Sequence, residues 1–295
     1  RPPPTSTLLP YTTLFRSGAD IYSVEDEEKF VIIMEYLPEG SIHSIVKSRF
    51  LTLKEALCCI INILAGLEHA HSFGVLHRDI KPNNILIRRN VYQLADFGLA
   101  VLQEEFDIAI HSKYDYEAHM APEYYNTRKP SKLSDIFAVG ITLFRLINNL
   151  ADWSFLYDVP DLSSSLSKGT LINDIRFQPY VPSKVIRVIQ KACHKDPTKR
   201  YQTAHEMSQA LVKLSKQLSI NWAKKGENYW IGEDKEGVSC SIEKKTKREG
   251  FEITYLKRRR RLKGKMYCEN FTLNQDREAT EVFYKTIRDT SLSTG

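Results

Sequence analysis

Two acidic residues, Asp79 and Asp96, stand seventeen positions apart in the stretch LHRDIKPNNILIRRNVYQLADFG, residues 76–98. A lysine (Lys81) follows the first by two positions and an asparagine (Asn84) by five. A positioned carboxylate can take up the proton of a hydroxyl, and a carboxylate with an amide oxygen offers the donors that a hard divalent cation takes. A lysine adds a compact positive charge that suits an anionic group. Asp-Phe-Gly at 96–98 is weak evidence alone, since any three residues recur by chance. His-Arg-Asp with its lysine and asparagine, then Asp-Phe-Gly, then Ala121-Pro122-Glu123, all in order, form a specific signal. The plain alternative, solvated loop charges, does not account for that register.

These motifs resemble the catalytic loop and metal-binding loop of the eukaryotic-type (Hanks-type) protein kinases. The resemblance implies phosphoryl transfer, in which a protein positions the reactants and neutralises charge. On that basis Asp79 accepts or orients the proton of a substrate hydroxyl, and Lys81 faces the transferring group. Asn84 and Asp96 are the implied Mg²⁺ ligands, holding the metal against the phosphates of ATP. A lysine at position 81 resembles the serine/threonine branch of the family. His77 and Phe97 resemble packing groups of the spine that links the lobes. Arg78 before the catalytic aspartate resembles kinases switched by a phosphate on the activation loop, for which Ser112, Tyr114 and Tyr116 are candidate acceptors. A purely structural arginine fits the same position. One departure stands out: where the family usually reads Gly-Thr-x-x-Tyr-x, this chain has Asp115 to Met120, so Tyr116 replaces the threonine and His119 the tyrosine. Substrate choice is open on that account.

The elements that must position these groups are legible around them. Thr52 with Glu55 forms a capping box that opens a helix through about His71, its apolar stripe running through Leu57, Ile60, Leu64 and Leu67, with Gly74 as a stop. Ser131 to Asn149 reads as a nearly all-apolar helix, the buried pillar of a large lobe, and its Asp135 resembles the family aspartate that ties down the catalytic loop. Ser183 to Cys193 and Thr203 to Leu218 supply two amphipathic helices, the second with a Thr203–Glu206 capping box. Arg200 resembles the family partner of Glu123. Upstream, Ala19 to Val24 and Phe30 to Tyr36 read as two strands of a small lobe. The resemblance makes Met34, Glu35, Leu37 and Leu86 the nucleotide contacts. Histidines such as His69, His71 and His194 read as surface or helix-face residues rather than ligands.

Residues 1–17, RPPPTSTLLPYTTLFRS, fit nothing that follows and resemble translated adapter sequence rather than a signal peptide. The Gly-rich loop, strand lysine and helix glutamate of a kinase small lobe are not found before Gly18. With the large-lobe motifs intact, truncation of an ordinary kinase explains this better than a silent pseudokinase, and a chain lacking that roof would bind ATP poorly. The composition, 42% hydrophobic and 26% charged, is that of a globular chain. Five scattered cysteines point to neither a zinc site nor a disulfide framework, and fit a reducing, cytoplasmic setting. No apolar run is long enough to span a bilayer.

The net charge of +6 is concentrated late: Lys244 to Lys265 holds 11 basic against 2 acidic residues. This 244–265 patch, flanked by Tyr255 and Tyr267 as stacking groups, could meet nucleic acid, an anionic lipid surface or an acidic protein. A solvated hairpin turn is the favoured reading. Val238 to Ile242, Phe251 to Tyr255 and Lys265 to Phe271 alternate like strands, and Gln275 to Ile287 reads as a helix.

The expected fold is therefore α+β: a kinase-like bilobal domain over 18–218, with a partial small lobe and a mainly helical large lobe, and a basic α+β module over 221–295. The expected activity is transfer of the γ-phosphate of ATP to a serine or threonine of a protein substrate. A catalytically silent binding module and a small-molecule kinase of related fold are the alternatives, the second disfavoured by the long segment ending in Ala-Pro-Glu.

Overall fold

The computed structural model describes residues 7–8, 21–26, 29–34, 36–97, 100–102, 119–127, 129–153, 161–258 and 265–293. Strands β1 (Thr7–Leu8), β2 (Ile21–Asp26) and β3 (Lys29–Met34) form an antiparallel sheet in that order, with Asp26 opposite Lys29 and Ile21 opposite Met34. The two expected strands are present, each shifted by a residue or two. The short β1 adds to them from the segment that composition had set apart, most of which lies outside the described residues.

The chain then enters a helical lobe. Helix α1 (Ile42–Ser48) follows a turn closed by Gly40, whose φ of +70° suits glycine. Helix α2 (Leu53–Ser72) opens on the expected capping box: Thr52 Oγ1 accepts from the Glu55 amide, and the Glu55 carboxylate accepts from the Thr52 amide at 2.9 Å. Gly74, at φ +73°, turns the chain into β4 (Val75–Leu76), which pairs with β7 (Val101–Leu102). Between these lies the hairpin of β5 (Ile85–Arg88) and β6 (Val91–Leu94), whose turn residues Arg89 and Asn90 both have positive φ.

Helix α3 (Pro122–Thr127) precedes α4 (Lys132–Ile147), in which every residue from Ser134 to Ile147 is buried, as the apolar run predicts. A Cβ at Gly140 would stand 2.6 Å from Cys193 Sγ, so the absence of a side chain lets α4 cross closely over α7 (Ser183–Ala192). The short α5 (Leu162–Lys168) and α6 (Leu171–Asp174) lie before α7, and α8 (Ala204–Lys216) closes the lobe against α2. The Thr203 cap differs from the expected box. Its hydroxyl accepts from the Glu206 amide, but Glu206 reaches back one residue further, to the Gln202 amide at 2.7 Å.

Beyond α8, the five described strands β8 (Ile220–Gly226), β9 (Tyr229–Asp234), β10 (Ser239–Lys247), β11 (Gly250–Arg258) and β12 (Lys265–Thr272) form an antiparallel meander. Helix α9 (Asp276–Ser291) packs Ala279, Phe283 and Ile287 onto Trp222, Trp230, Ile242 and Ile253. Strands β8 and β9 escaped the sequence reading because their inward alternation is short and ends in lysines or acidic residues. The module seats on the helical lobe through an aromatic cluster, with Phe50 and Tyr180 of the lobe 4.8 and 4.9 Å from the Trp230 ring. Lys184 reinforces the junction by donating to the Ser293 carbonyl, and Asn221 Oδ1 accepts from the Lys54 amide.

Candidate active site

The hydrophobic stripe of α2 and the buried length of α4 bring three polar groups to one place. Asp135, near the start of α4 and 2% exposed, accepts from the backbone amides of His77 and Arg78 at 2.9 Å each. Its Oδ2 also lies 2.8 Å from His71 Nε2. Burial pushes the Asp135 carboxyl up. The His71 hydrogen bond, the closeness of the His71 and His77 rings and the His77 amide outweigh that and leave it below the ordinary value. The two amide bonds hold Arg78 at φ +68°, a left-handed conformation that a side chain enters only when the surroundings fix it. Position 135 was anticipated by resemblance; His71 was not. It is no surface group, being 4% exposed. The signal lay in the stripe itself: Leu64, Leu67 and His71 continue one helix face, and a polar group on a buried face needs a partner.

His77 links the two motif loops. Its Nδ1 accepts from the Asp79 amide at 3.3 Å, so Nε2 carries the proton and donates to the Ala95 carbonyl at 3.2 Å. Full burial drives its pKa down. The ring also meets Phe97 at 4.5 Å, the packing role expected of both residues.

Around Asp79 the expected residues converge. Lys81 Nζ and Asn84 Nδ2 each donate to Asp79 Oδ2 at 2.7 Å, and Nδ2 also reaches the Asp79 carbonyl at 2.9 Å. With its NH₂ group held on Asp79, Asn84 has its side-chain oxygen left for another donor or cation. Asn84 immediately precedes β5, and its carbonyl accepts from the Ala95 amide at 2.9 Å across the hairpin. Asp96 is the next residue, at φ +63°. Asn84 and Asp96 thus stand at one end of one hairpin, offering an amide oxygen and a carboxylate. That donor pair fits Mg²⁺, which keeps waters and phosphate oxygens in its remaining positions. Among the described residues no cluster of three or more His, Cys, Asp and Glu is placed to hold a metal.

Of the expected nucleotide contacts, Met34 ends β3, and Glu35 lies outside the described residues. Leu37 is buried in a turn closed by the Gly40 amide on its carbonyl at 3.1 Å. Ser41 bridges to Leu86, and the Ile87 amide donates to Gly40, so the chain leaving β3 runs beside the strand that carries Leu86. Glu39 fastens that exit by accepting from the amides of Arg89 and Asn90 in the β5–β6 turn.

Arg200 grips Glu123 through two bonds of 2.6 and 2.7 Å and donates to the carbonyls of Leu133 and His194, as the resemblance implied. Arg78 donates to the Tyr124 hydroxyl at 2.8 Å. Ser112, Tyr114 and Tyr116 lie outside the described residues.

The basic patch differs in part from expectation. Lys257 pairs with Asp234, Lys244 with Asp276, Lys245 with Glu243 and Lys247 with Glu252, so these lysines already have partners within the module. Lys257 stands opposite Lys265 in the antiparallel pairing of β11 with β12, and residues 259–264 lie outside the described ones. Tyr255 is not poised to stack on a base: its ring lies 6.2 Å from Trp222 and its hydroxyl points to Cys240. No helix among the described residues is long and apolar enough to cross a membrane. All five cysteines are free.

Comparison with known proteins agrees with this geometry. The protein kinase domain family model matches residues 20–212. The serine/threonine-protein kinase PrkC of Bacillus subtilis is 33% identical over 186 residues, covering 62% of this chain and 28% of that protein. A probable serine/threonine-protein kinase of Clostridium perfringens is 28% identical over 197 residues, 66% of this chain and 29% of its own length. MAP3K epsilon protein kinase 1 of Brassica napus is 35% identical over 144 residues, 48% of this chain and 11% of that protein. The chain therefore spans under a third of the length of each of these three relatives.

Proposed function

The chain belongs to the protein kinase family, and from that premise we propose that it transfers the γ-phosphate of ATP to a serine or threonine hydroxyl of a protein substrate. The observation that carries the proposal is the convergence of Lys81 and Asn84 on Asp79, at 2.7 Å each, at the hairpin end that also presents Asp96. Asp79 orients the acceptor hydroxyl and takes its proton as the bond to phosphorus forms. Lys81, already beside Asp79, supplies positive charge to the transferring group. Asn84 and Asp96 would hold Mg²⁺, whose contribution is to neutralise phosphate charge. Met34, Glu35, Leu37 and Leu86 would line the adenine site. The lysine at 81 and the serine/threonine-protein kinases of two bacteria that the chain resembles support serine or threonine as acceptor. Five free cysteines, three of them buried, support a reducing cytoplasmic setting.

The test is transfer of labelled phosphate from Mg²⁺·ATP to casein by the chain and by Asp96→Asn. The expected result is phosphoserine and phosphothreonine formation that chelation abolishes and Asp96→Asn lowers by roughly 100-fold or more. No transfer by either form, with the fold intact and ATP bound, would favour a silent binding module instead.

A further inference from the structure

The residues just before Ala121-Pro122-Glu123 are where this chain departs from its family, and there the structure holds a buried polar cluster that the reaction described above does not use. His119 is 6% exposed. Its Nε2 lies 3.3 Å from Arg145 Nη1, and its Nδ1 lies 3.5 Å from Thr142 Oγ1. A guanidinium can only donate, so Nε2 must accept and the ring proton sits on Nδ1. Thr142 donates its own proton to the Ala138 carbonyl at 2.8 Å, which leaves its oxygen to accept from Nδ1. The same oxygen stands 3.3 Å from the carbonyl of Ile80, the residue after Asp79.

Arg145 is 2% exposed and fixed on its other sides: Nε and Nη2 donate to the Leu150 and Ala151 carbonyls, and the guanidinium stacks on Trp153 at 5.0 Å. Trp153 in turn meets the His119 ring at 5.7 Å. One imidazole therefore lies among three pieces of chain: the segment entering Ala-Pro-Glu, the catalytic loop, whose Ile80 carbonyl acts on the ring, and α4 through Thr142 and Arg145.

We propose that His119, as the neutral Nδ1–H tautomer between Thr142 and Arg145, is a positioning residue that seats the segment before Ala-Pro-Glu against the catalytic loop. A protonated ring would put a second cation against Arg145 and turn the Nε2 acceptor into a donor, so the seat exists only with a neutral His119. Charged groups acting on the ring include Arg145 of α4 and Lys81 of the catalytic loop, both disfavouring its protonation. Burial is the largest such effect, and the Ile80 and Ala138 carbonyls oppose it; the balance holds the pKa well below the ordinary histidine value.

The kinetic arm of the test rests on the kinase reading; the spectroscopic arm does not. In the full chain with ¹⁵N-labelled histidine, the His119 signal, assigned by its loss in His119→Gln, is expected to show the Nδ1–H tautomer and no titration between pH 8 and 6. In Arg145→Met it is expected to titrate at higher pH than in the parent. An Nε2–H tautomer, or ordinary titration in the parent, overturns the proposal whether or not the chain is active.

In casein phosphorylation, His119→Phe removes the acceptor for Arg145 and is expected to lower kcat/KM for casein about tenfold, with KM for ATP unchanged. His119→Gln keeps an acceptor for Arg145 and should restore most of that loss. Equal activity of the parent and His119→Phe also overturns the proposal. Absence of activity in every form, with the expected tautomer present, counts against the kinase reading alone.

Discussion

His71 and Asp135, 64 positions apart, meet at 2.8 Å in the interior of the helical lobe, on the carboxylate that also fixes the His77 and Arg78 amides. The end of α2 and the start of α4 are thereby fastened to the loop that carries Asp79. Asp135 has two oxygens and three donors, so each donor removed leaves a buried charge less satisfied.

Replacing His71 by leucine should therefore cost more than a lost contact. We expect about 2–3 kcal/mol of destabilisation, typical of a hydrogen bond to a buried charge. Urea unfolding of the variant would check this; a midpoint equal to the parent's would mean that solvent or a rearranged neighbour satisfies Asp135.

Stability should fall with acid in two stages. His77 is held below its ordinary value of 6.5 by burial, and His119 by burial and Arg145. A depressed histidine binds its proton less readily folded than unfolded, so its contribution is complete above about pH 6.5 and is lost as pH falls below it. Asp135 also has a depressed value, so its contribution persists to lower pH and is lost only below its ordinary value of 3.8. Urea midpoints should be level from pH 8 to 7 and decline from pH 6.5 to 5. A level curve down to pH 5 would contradict the assignment of the two histidines as buried and neutral.

Arg200 and Glu123 form a bidentate pair with the arginine side chain wholly buried. Glu123→Gln should destabilise by about 3 kcal/mol, because it leaves a buried guanidinium without its counter-charge. Arg200→Met with Glu123→Gln should cost less than the two single changes added together. Strict additivity in that double-mutant cycle would show that the pair is not coupled.

Trp230 anchors the C-terminal module to Phe50 and Tyr180 and is 1% exposed. Trp230→Ala should cost about 3–5 kcal/mol and separate unfolding into two steps, the module first. A single shared transition at the parent's midpoint would indicate that Lys184 and Asn221 carry the junction without it.

The linear chain determined what depends on near neighbours. The Thr52–Glu55 box, the Gly74 stop, the buried length of α4 and the order of the three motifs were all legible, because each is set within a turn or two of backbone or by the spacing of residue types. Asp79, Lys81, Asn84 and Asp96 could be named from the resemblance of those motifs to the kinase family. Only the tertiary structure decided which buried polar groups meet. His71 read as a surface or helix-face residue until α4 brought Asp135 to it, and Tyr255 read as a flanking group able to stack on a base until the sheet set its ring beside Trp222. His119 read as a substitution of unknown effect until Arg145 was found behind it. The partners of such groups come from elements far along the chain, and what selects them is how apolar faces pack. No local pattern records that choice.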